Sequence, residues 1–153
     1  MSDKYEVAFV NSFLGILPQL GFEDVRKGTT EKMGKIIDSP GVMVILGIVG
    51  DVRGNVLYGL SENCAKKIAS TMMMGMEIAE FDAMAQSAVS ELTNMITATA
   101  STELTAGGVR TDISTPTLMY GEFNASPSYD NIVRIEMFVD NEPFYIYISI
   151  QNS

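Results

Sequence analysis

Val7, Val10, Leu14 and Leu17 recur near the spacing of one helical face. Asp3, followed three residues later by Glu6, has the form of a capping box and predicts where that helix opens. Pro18 and Gly21 predict its end, since a proline at 18 loses the hydrogen bond to residue 14 and crowds its carbonyl. A strand is predicted around Val25–Lys32 and a turn at Ser39-Pro40-Gly41. Val42–Val49 is a near-continuous apolar run, the pattern of a strand covered on both faces. Gly50-Asp51-Val52-Arg53-Gly54 then reads as a turn and Asn55–Leu60 as the returning strand of a hairpin. Ser61 can cap a short helix with Ala65, Ile68, Ala69 and Met72 inward, Lys66 and Lys67 outward, and Gly75 at its C′ position.

Asp82 can cap a longer helix running to about Thr105 and closed by Ala106-Gly107-Gly108. Phe81, Ala85, Ala88, Val89, Leu92, Met95, Ile96 and Thr99 share its predicted core face. Strands follow at Val109–Ser114 and Thr117–Glu122, separated by Thr115-Pro116. Ile132–Val139 and Phe144–Ile150 form a predicted hairpin around Asp140-Asn141-Glu142-Pro143. In its second strand Phe144, Ile146, Ile148 and Ile150 alternate with Tyr145, Tyr147 and Ser149, a half-buried pattern. Each half of the chain thus has a helix, a turn-rich middle and a closing apolar hairpin, which suggests an internal duplication in pattern rather than in residues.

Composition narrows the functions open to these elements. The 153 residues suit one domain over 1–153, and 46 % apolar residues suit a packed core. Ten basic against nineteen acidic residues give a net charge of −9. That balance argues against nucleic acid as a partner, because phosphate-backbone affinity comes from Lys and Arg, and against an anionic membrane surface for the same reason. No run of 18 apolar residues exists to span a membrane, and the N-terminal apolar stretch is interrupted by Asn11, Ser12 and Gly15, so it reads as a helix and not as a signal peptide. There is no His, which removes Ser-His, Cys-His and His-metal chemistry. The one cysteine, Cys64, cannot form an internal disulfide and fits a reducing, cytoplasmic setting. With no His to activate it, it reads as structural rather than nucleophilic. The run Met72-Met73-Met74-Gly75-Met76 has two readings, flexible core filling or an adaptable binding surface.

The long helix does not look like an ordinary solvated one. Residues 83–102 carry a single charge, Glu91, where average usage would place about five. The face opposite the predicted core stripe holds Ser87, Ser90, Glu91, Asn94, Thr97, Ala98 and Ser101, all short and mostly uncharged. Ser87, Glu91, Asn94 and Ala98 are spaced so that they stack along one stripe. Asn is a costly choice in a helix interior, by up to about 0.7 kcal/mol relative to Ala. Glu91 can pair with a cation on a partner, and the Asn94 amide can both donate and accept. Periodicity alone leaves a second reading open, in which the first helix covers part of this face and the small residues only let two helices pack.

The string from Ser87 through Glu91 to Asn94, with Pro116 some twenty residues later, resembles the motif of the CheC/CheX/FliY family, phosphatases of the chemotaxis response regulator CheY. FVNSF near the start, GIVGDVRGNVLYGL, KKIASTMMMGME and DISTPTLMYG look like the CheX type, so the resemblance covers nearly the whole chain. CheC-type members carry the motif on two pseudo-symmetric helices. Here the first helix offers Glu6 and Asn11, five apart, which favours the CheX type with one active helix. Thr93 stands where relatives often have Gly or Ala, and the expectation is that its branched side chain crowds a docked partner.

The resemblance implies an α/β fold of the α+β kind: a mainly antiparallel sheet of about six strands, two to three packed helices and pseudo-two-fold halves. It implies hydrolysis of an aspartyl phosphate on a CheY-type response regulator. Asn94 would hold the attacking water in line, since a neutral amide cannot act as a base but can position, as a Gln does in small GTPases. Glu91 would pair with the regulator's active-site lysine. Ser87 and Ala98 would be contact residues one turn before and after, and Pro116 would shape the strand connection. The chain would need no cofactor of its own, the divalent metal, Mg²⁺, being carried by the regulator. A homodimer is expected from the resemblance, from an exposed Tyr145–Tyr147 face and from apolar edge strands. A binding or scaffold domain without turnover is the alternative. A flagellar switch component is a third reading, weakened here by the lack of an appended domain.

Overall fold

The computed structural model describes residues 3–127 and 131–152, excluding the side chains of Asp3 and Asn152. Helix α1 (Asp3–Gln19) is followed by strands β1 (Val25–Met33), β2 (Ile37–Asp38), β3 (Val42–Gly50) and β4 (Val52–Leu60). Helices α2 (Glu62–Met72) and α3 (Ala83–Ala106) come next, then β5 (Thr111–Ile113), β6 (Thr117–Tyr120), β7 (Asn124–Ala125), β8 (Ile132–Val139) and β9 (Glu142–Asn152). The expected Asp3 cap lies outside the described side chains.

Seven strands form one antiparallel sheet in the order β1-β8-β9-β4-β3-β5, with β6 also on β3, and β2 pairs β7 in a small second sheet. This order makes the internal likeness concrete. Turning the sheet about the β4–β9 junction exchanges β4 with β9, β3 with β8, and β1 with the β5–β6 pair, and so relates α1 to α3. Each half supplies the edge strand of the other, which is why the duplication shows in pattern along the chain and not as two separate units. Burial follows the same relation. Tyr5, Phe9, Ser12, Phe13 and Leu17 on α1 are buried where Ala85, Val89, Leu92, Thr93 and Thr97 are buried on α3, eighty positions on in each case.

The three helices cover one sheet face. On β3, Val42, Val44, Leu46 and Ile48 enter the core beneath them, while Met43 and Ile45 join a smaller cluster on the opposite face with Ile37, Leu57, Ile132 and Tyr147. The run is therefore covered on both faces from Val42 to Ile48, as its composition predicts, while Val49 is exposed. The same cover corrects the reading of β9. Tyr147 and Ser149 are buried, and Tyr145 is half-buried beneath the Arg134 guanidinium, so the expected exposed tyrosine face does not exist. The chain at 140–143 also turns more tightly than expected. Asp140 and Asn141 both take positive φ, the two-residue hairpin geometry, and Glu142 and Pro143 already belong to β9.

The α1 face is a second correction. Val7 and Leu14 are exposed, while Phe9, Ser12 and Phe13 are buried with Leu17. Helix α1 packs on α3 as well as on the sheet, and the wider buried arc takes in Ser12, whose hydroxyl donates to the Ile96 carbonyl at 2.6 Å. Pro18 sits in the last turn rather than beyond it. Helix α2 is capped by Ser61, whose Oγ accepts from the Cys64 N–H, and α3 by Asp82, whose carboxylate accepts from the Ala85 N–H. All three helices end in the paired hydrogen bonds of a left-handed cap. Gly21 and Gly108 take the left-handed position in α1 and α3. In α2 that position is Met74, with φ 62°, and the expected Gly75 is one residue further on. Among the described residues no helix is long and apolar enough to cross a membrane.

Candidate functional site

Helix α3 is fixed from behind by polar groups that sequence periodicity assigns wrongly. Thr97, expected on the outer face, is buried, and so is Thr93. Thr93 Oγ1 donates to the Ser90 carbonyl at 2.8 Å, and Thr97 Oγ1 to the Thr93 carbonyl at 2.7 Å. The Thr97 proton being used there, the buried Tyr58 O–H donates to Thr97 Oγ1 across 2.7 Å and ties α3 to β4. Burial drives the Tyr58 phenol above the ordinary tyrosine range, opposed by this bond, so it stays neutral. Because Thr93 points into this layer, it cannot crowd anything that docks on the outer face, contrary to the expectation.

The front of α3 carries the predicted stripe. Ser87, Glu91 and Ala98 are exposed, and Asn94 is partly so. Ser87, Glu91 and Asn94 line a cleft of about 470 Å³ whose opposite wall is Thr115, Pro116 and Leu118. Ala98 lies one turn beyond and is not part of that cleft. Among the described residues neither the Glu91 carboxylate nor the Asn94 amide has a partner within the chain. Both are held on a rigid helix and presented outward.

The facing wall is the connection between β5 and β6. Ser114 anchors it to β3, its N–H donating to the Gly47 carbonyl at 3.0 Å and its hydroxyl accepting from the Gly47 N–H at 2.7 Å. Pro116 lies in this connection, directly before β6, and lines the cleft. Sequence reasoning missed Thr115 and Leu118, since a turn residue and a strand residue carry no local sign of facing a helix that ends nine residues before Thr115. Gln86 and Ser90 also border the cleft.

The remaining candidates play no part. Cys64 is fully buried, its thiol pushed up to about 12 by burial, with the Glu142 carboxylate adding to the rise. Such a thiol is a poor nucleophile. Among the described residues no three His, Cys, Asp or Glu side chains gather as metal ligands. On α1 the positions that correspond to Glu91 and Asn94 are Asn11 and Leu14, eighty residues earlier, so the face related by pseudo-symmetry lacks both groups.

A family model described as chemotaxis phosphatase CheX matches residues 42–137. A curated relative, the CheY-P phosphatase CheX of Thermotoga maritima, is 31 % identical over 144 residues, covering 94 % of this chain and 88 % of the relative. Among solved structures, a CheC-like superfamily protein from Shewanella sp. PV-4 superposes with a TM-score of 0.88 at 22 % identity, covering 99 % of this chain and 100 % of that one. A CheX–CheY–BeF₃–Mg²⁺ complex from Borrelia burgdorferi contains a chain matching with a TM-score of 0.80 at 24 % identity, covering 97 % and 98 %. These structural likenesses establish the CheC-like fold.

Proposed function

The chain belongs to the CheX family of chemotaxis phosphatases, and from that premise we propose that it hydrolyses the aspartyl phosphate of a CheY-type response regulator with Glu91 and Asn94 as its working groups. The observation that carries the assignment of residues is their placement: two unpartnered polar side chains, one turn apart, on an exposed stripe that borders a cleft. In the reaction the water oxygen attacks phosphorus in line, the bond from phosphorus to the aspartyl oxygen breaks, and inorganic phosphate and a free carboxylate result. Catalysis of such a step is mostly positioning and charge stabilisation. The Asn94 amide accepts from the water and orients it. Glu91, the one charge on the inner two-thirds of α3, pairs with a lysine of the regulator. Ser87 makes a contact one turn earlier, and Ala98 leaves room for close approach one turn later. The divalent cation, Mg²⁺, belongs to the regulator, and this chain brings no cofactor.

The test is phosphate release from a phosphorylated CheY-type receiver with the parent, Asn94→Ala and Glu91→Gln. Asn94→Ala should lose about a hundredfold or more in kcat, the cost expected when a reactant is no longer positioned. Glu91→Gln should act chiefly on KM, by about tenfold or more, because it removes one partner of an interfacial charge pair. Equal decay with and without the parent, despite binding, would establish the non-catalytic binding domain instead.

A homodimer stays part of this proposal on narrower ground. Tyr145 and Tyr147 form no exposed face, and β1 is not an apolar edge: it carries Arg26, Lys27, Glu31 and Lys32 and has an irregular register between Lys27 and Thr30, features that discourage pairing. The β5–β6 end of the sheet is the remaining edge, and sedimentation at micromolar concentration giving the mass of a monomer would overturn the dimer.

A further inference from the structure

The methionine-rich segment takes no part in the site just described, yet the fold puts it at the same end of α3. Met74 is 96 % exposed, Met76 54 % and Met84 63 %, so core filling does not account for these side chains. Met73, Met76, Ile78 and Met84 line a hollow of about 310 Å³ whose rim carries Glu77, Glu80 and Asp82. No Lys or Arg lines it among the described residues. Met84 stands one turn before Ser87 on the exposed stripe, so the hollow adjoins the cleft: Met84 belongs to one and Ala83 to the other.

The backbone supplies an independent observation. Of the three left-handed helix caps, two use glycine, and α2 uses Met74. A methionine there strains a position glycine would fill freely, and it holds an apolar side chain almost wholly in water. Met74 does not line the hollow itself; it adjoins Met73, which does, at the edge of the same surface. A local rule broken at an exposed position points to a use.

We propose that this methionine-lined hollow is a second docking point for the response regulator, receiving an apolar side chain flanked by Lys or Arg near the regulator's phosphorylation site. The inference rests on the proposed function of the stripe. A body seated on Ser87, Glu91 and Asn94 meets Met84 next along the helix. Unbranched thioether side chains repack around apolar groups of different shape. Three carboxylates on a chain of net charge −9 attract and orient a basic rim.

The experiment measures Kd for beryllofluoride-activated, Mg²⁺-loaded CheY-type receivers from the organism that makes this chain, and kcat and KM for phosphate release. Met76→Ser combined with Met84→Ser should raise Kd and KM about tenfold, with kcat within about twofold, as for loss of an anchor remote from the chemistry. Met74→Gly should raise the thermal midpoint while raising KM several-fold, opposite signs that a purely structural residue would not give. Glu77→Gln with Glu80→Gln should flatten the salt dependence of Kd. Unchanged Kd and KM in the methionine variants of an active parent would overturn the docking point and leave the phosphatase reading standing. A parent that binds the activated receiver without hydrolysing its phosphate, and binds less well without the methionines, would keep the docking point and overturn the phosphatase reading. A parent that neither binds nor hydrolyses would overturn both.

Discussion

Tyr58 and Thr97 show how a single buried contact can fix an active helix. Tyr58 is among the largest fully buried side chains, and among the described residues its hydroxyl bonds Thr97 Oγ1. Thr97→Val removes that acceptor and leaves the phenol unsatisfied in the core, at a cost of about 1–3 kcal/mol. Tyr58→Phe is milder, because Thr97 keeps its own bond to the Thr93 carbonyl; the loss should stay below about 1.5 kcal/mol, set by one net hydrogen bond. Urea denaturation of both variants checks this order, and Tyr58→Phe as the more damaging of the two would contradict it. Thr97 also marks where residue-scale reading fails. A threonine in a helix looks polar and outward, but a hydroxyl that bonds back to the preceding turn can be buried at little cost.

At the scale of elements, the reading worked where a pattern had one cause. The capping residues Ser61 and Asp82, the run Val42–Val49 and the strand Ile132–Val139 all stand where their patterns put them, because a cap or a doubly covered strand is set by a few neighbouring residues. It failed where an element has two neighbours. Helix α1 touches both the sheet and α3, so its buried arc is wider than an apolar stripe, and Val7 and Leu14 fall outside it. Helix α3 likewise buries Thr93, Thr97 and Ala100 in place of the expected Met95 and Thr99. The stripe Ser87–Glu91–Asn94–Ala98 lies outside the buried arc, with Ser87, Glu91 and Ala98 exposed and Asn94 partly so. Its facing wall was invisible in the sequence, since the approach of Pro116 and Leu118 to Glu91 is a tertiary fact. The edge strands illustrate the same limit: the pattern at Val25–Lys32 matches β1, but that β1 closes one end of the sheet follows only from its pairing with β8.

Across the whole molecule, the pseudo-two-fold arrangement places α1 and α3 side by side over one core, and the groups that titrate in that core set how stability depends on pH. Cys64 and Tyr58 are both buried as neutral acids, with pKa values raised above their ordinary 9.0 and 10.0. A raised folded pKa means the native state holds its proton when the unfolded chain has released it. Their contribution is complete below pH 9 and is lost as the pH climbs from there, at about 1.4 kcal/mol per pH unit for each group. Lys67 acts in the same direction, its pKa raised by the bond to Glu142, but it is exposed and counts for little. On the acid side, Glu62 is held below the ordinary carboxylate range by Tyr120 and then Lys66; its contribution is present above that range and fades as pH falls, again from an exposed position. Repulsion within a chain of net charge −9 also eases toward acid. The stability curve should therefore be nearly flat from pH 6 to 8 and fall steeply above about pH 9. Denaturant unfolding across that range, on the parent, Cys64→Ala and Tyr58→Phe, measures it. Each substitution should make the alkaline fall shallower by roughly the slope of one proton, and an alkaline limb of unchanged slope in both variants would show that neither buried acid controls it.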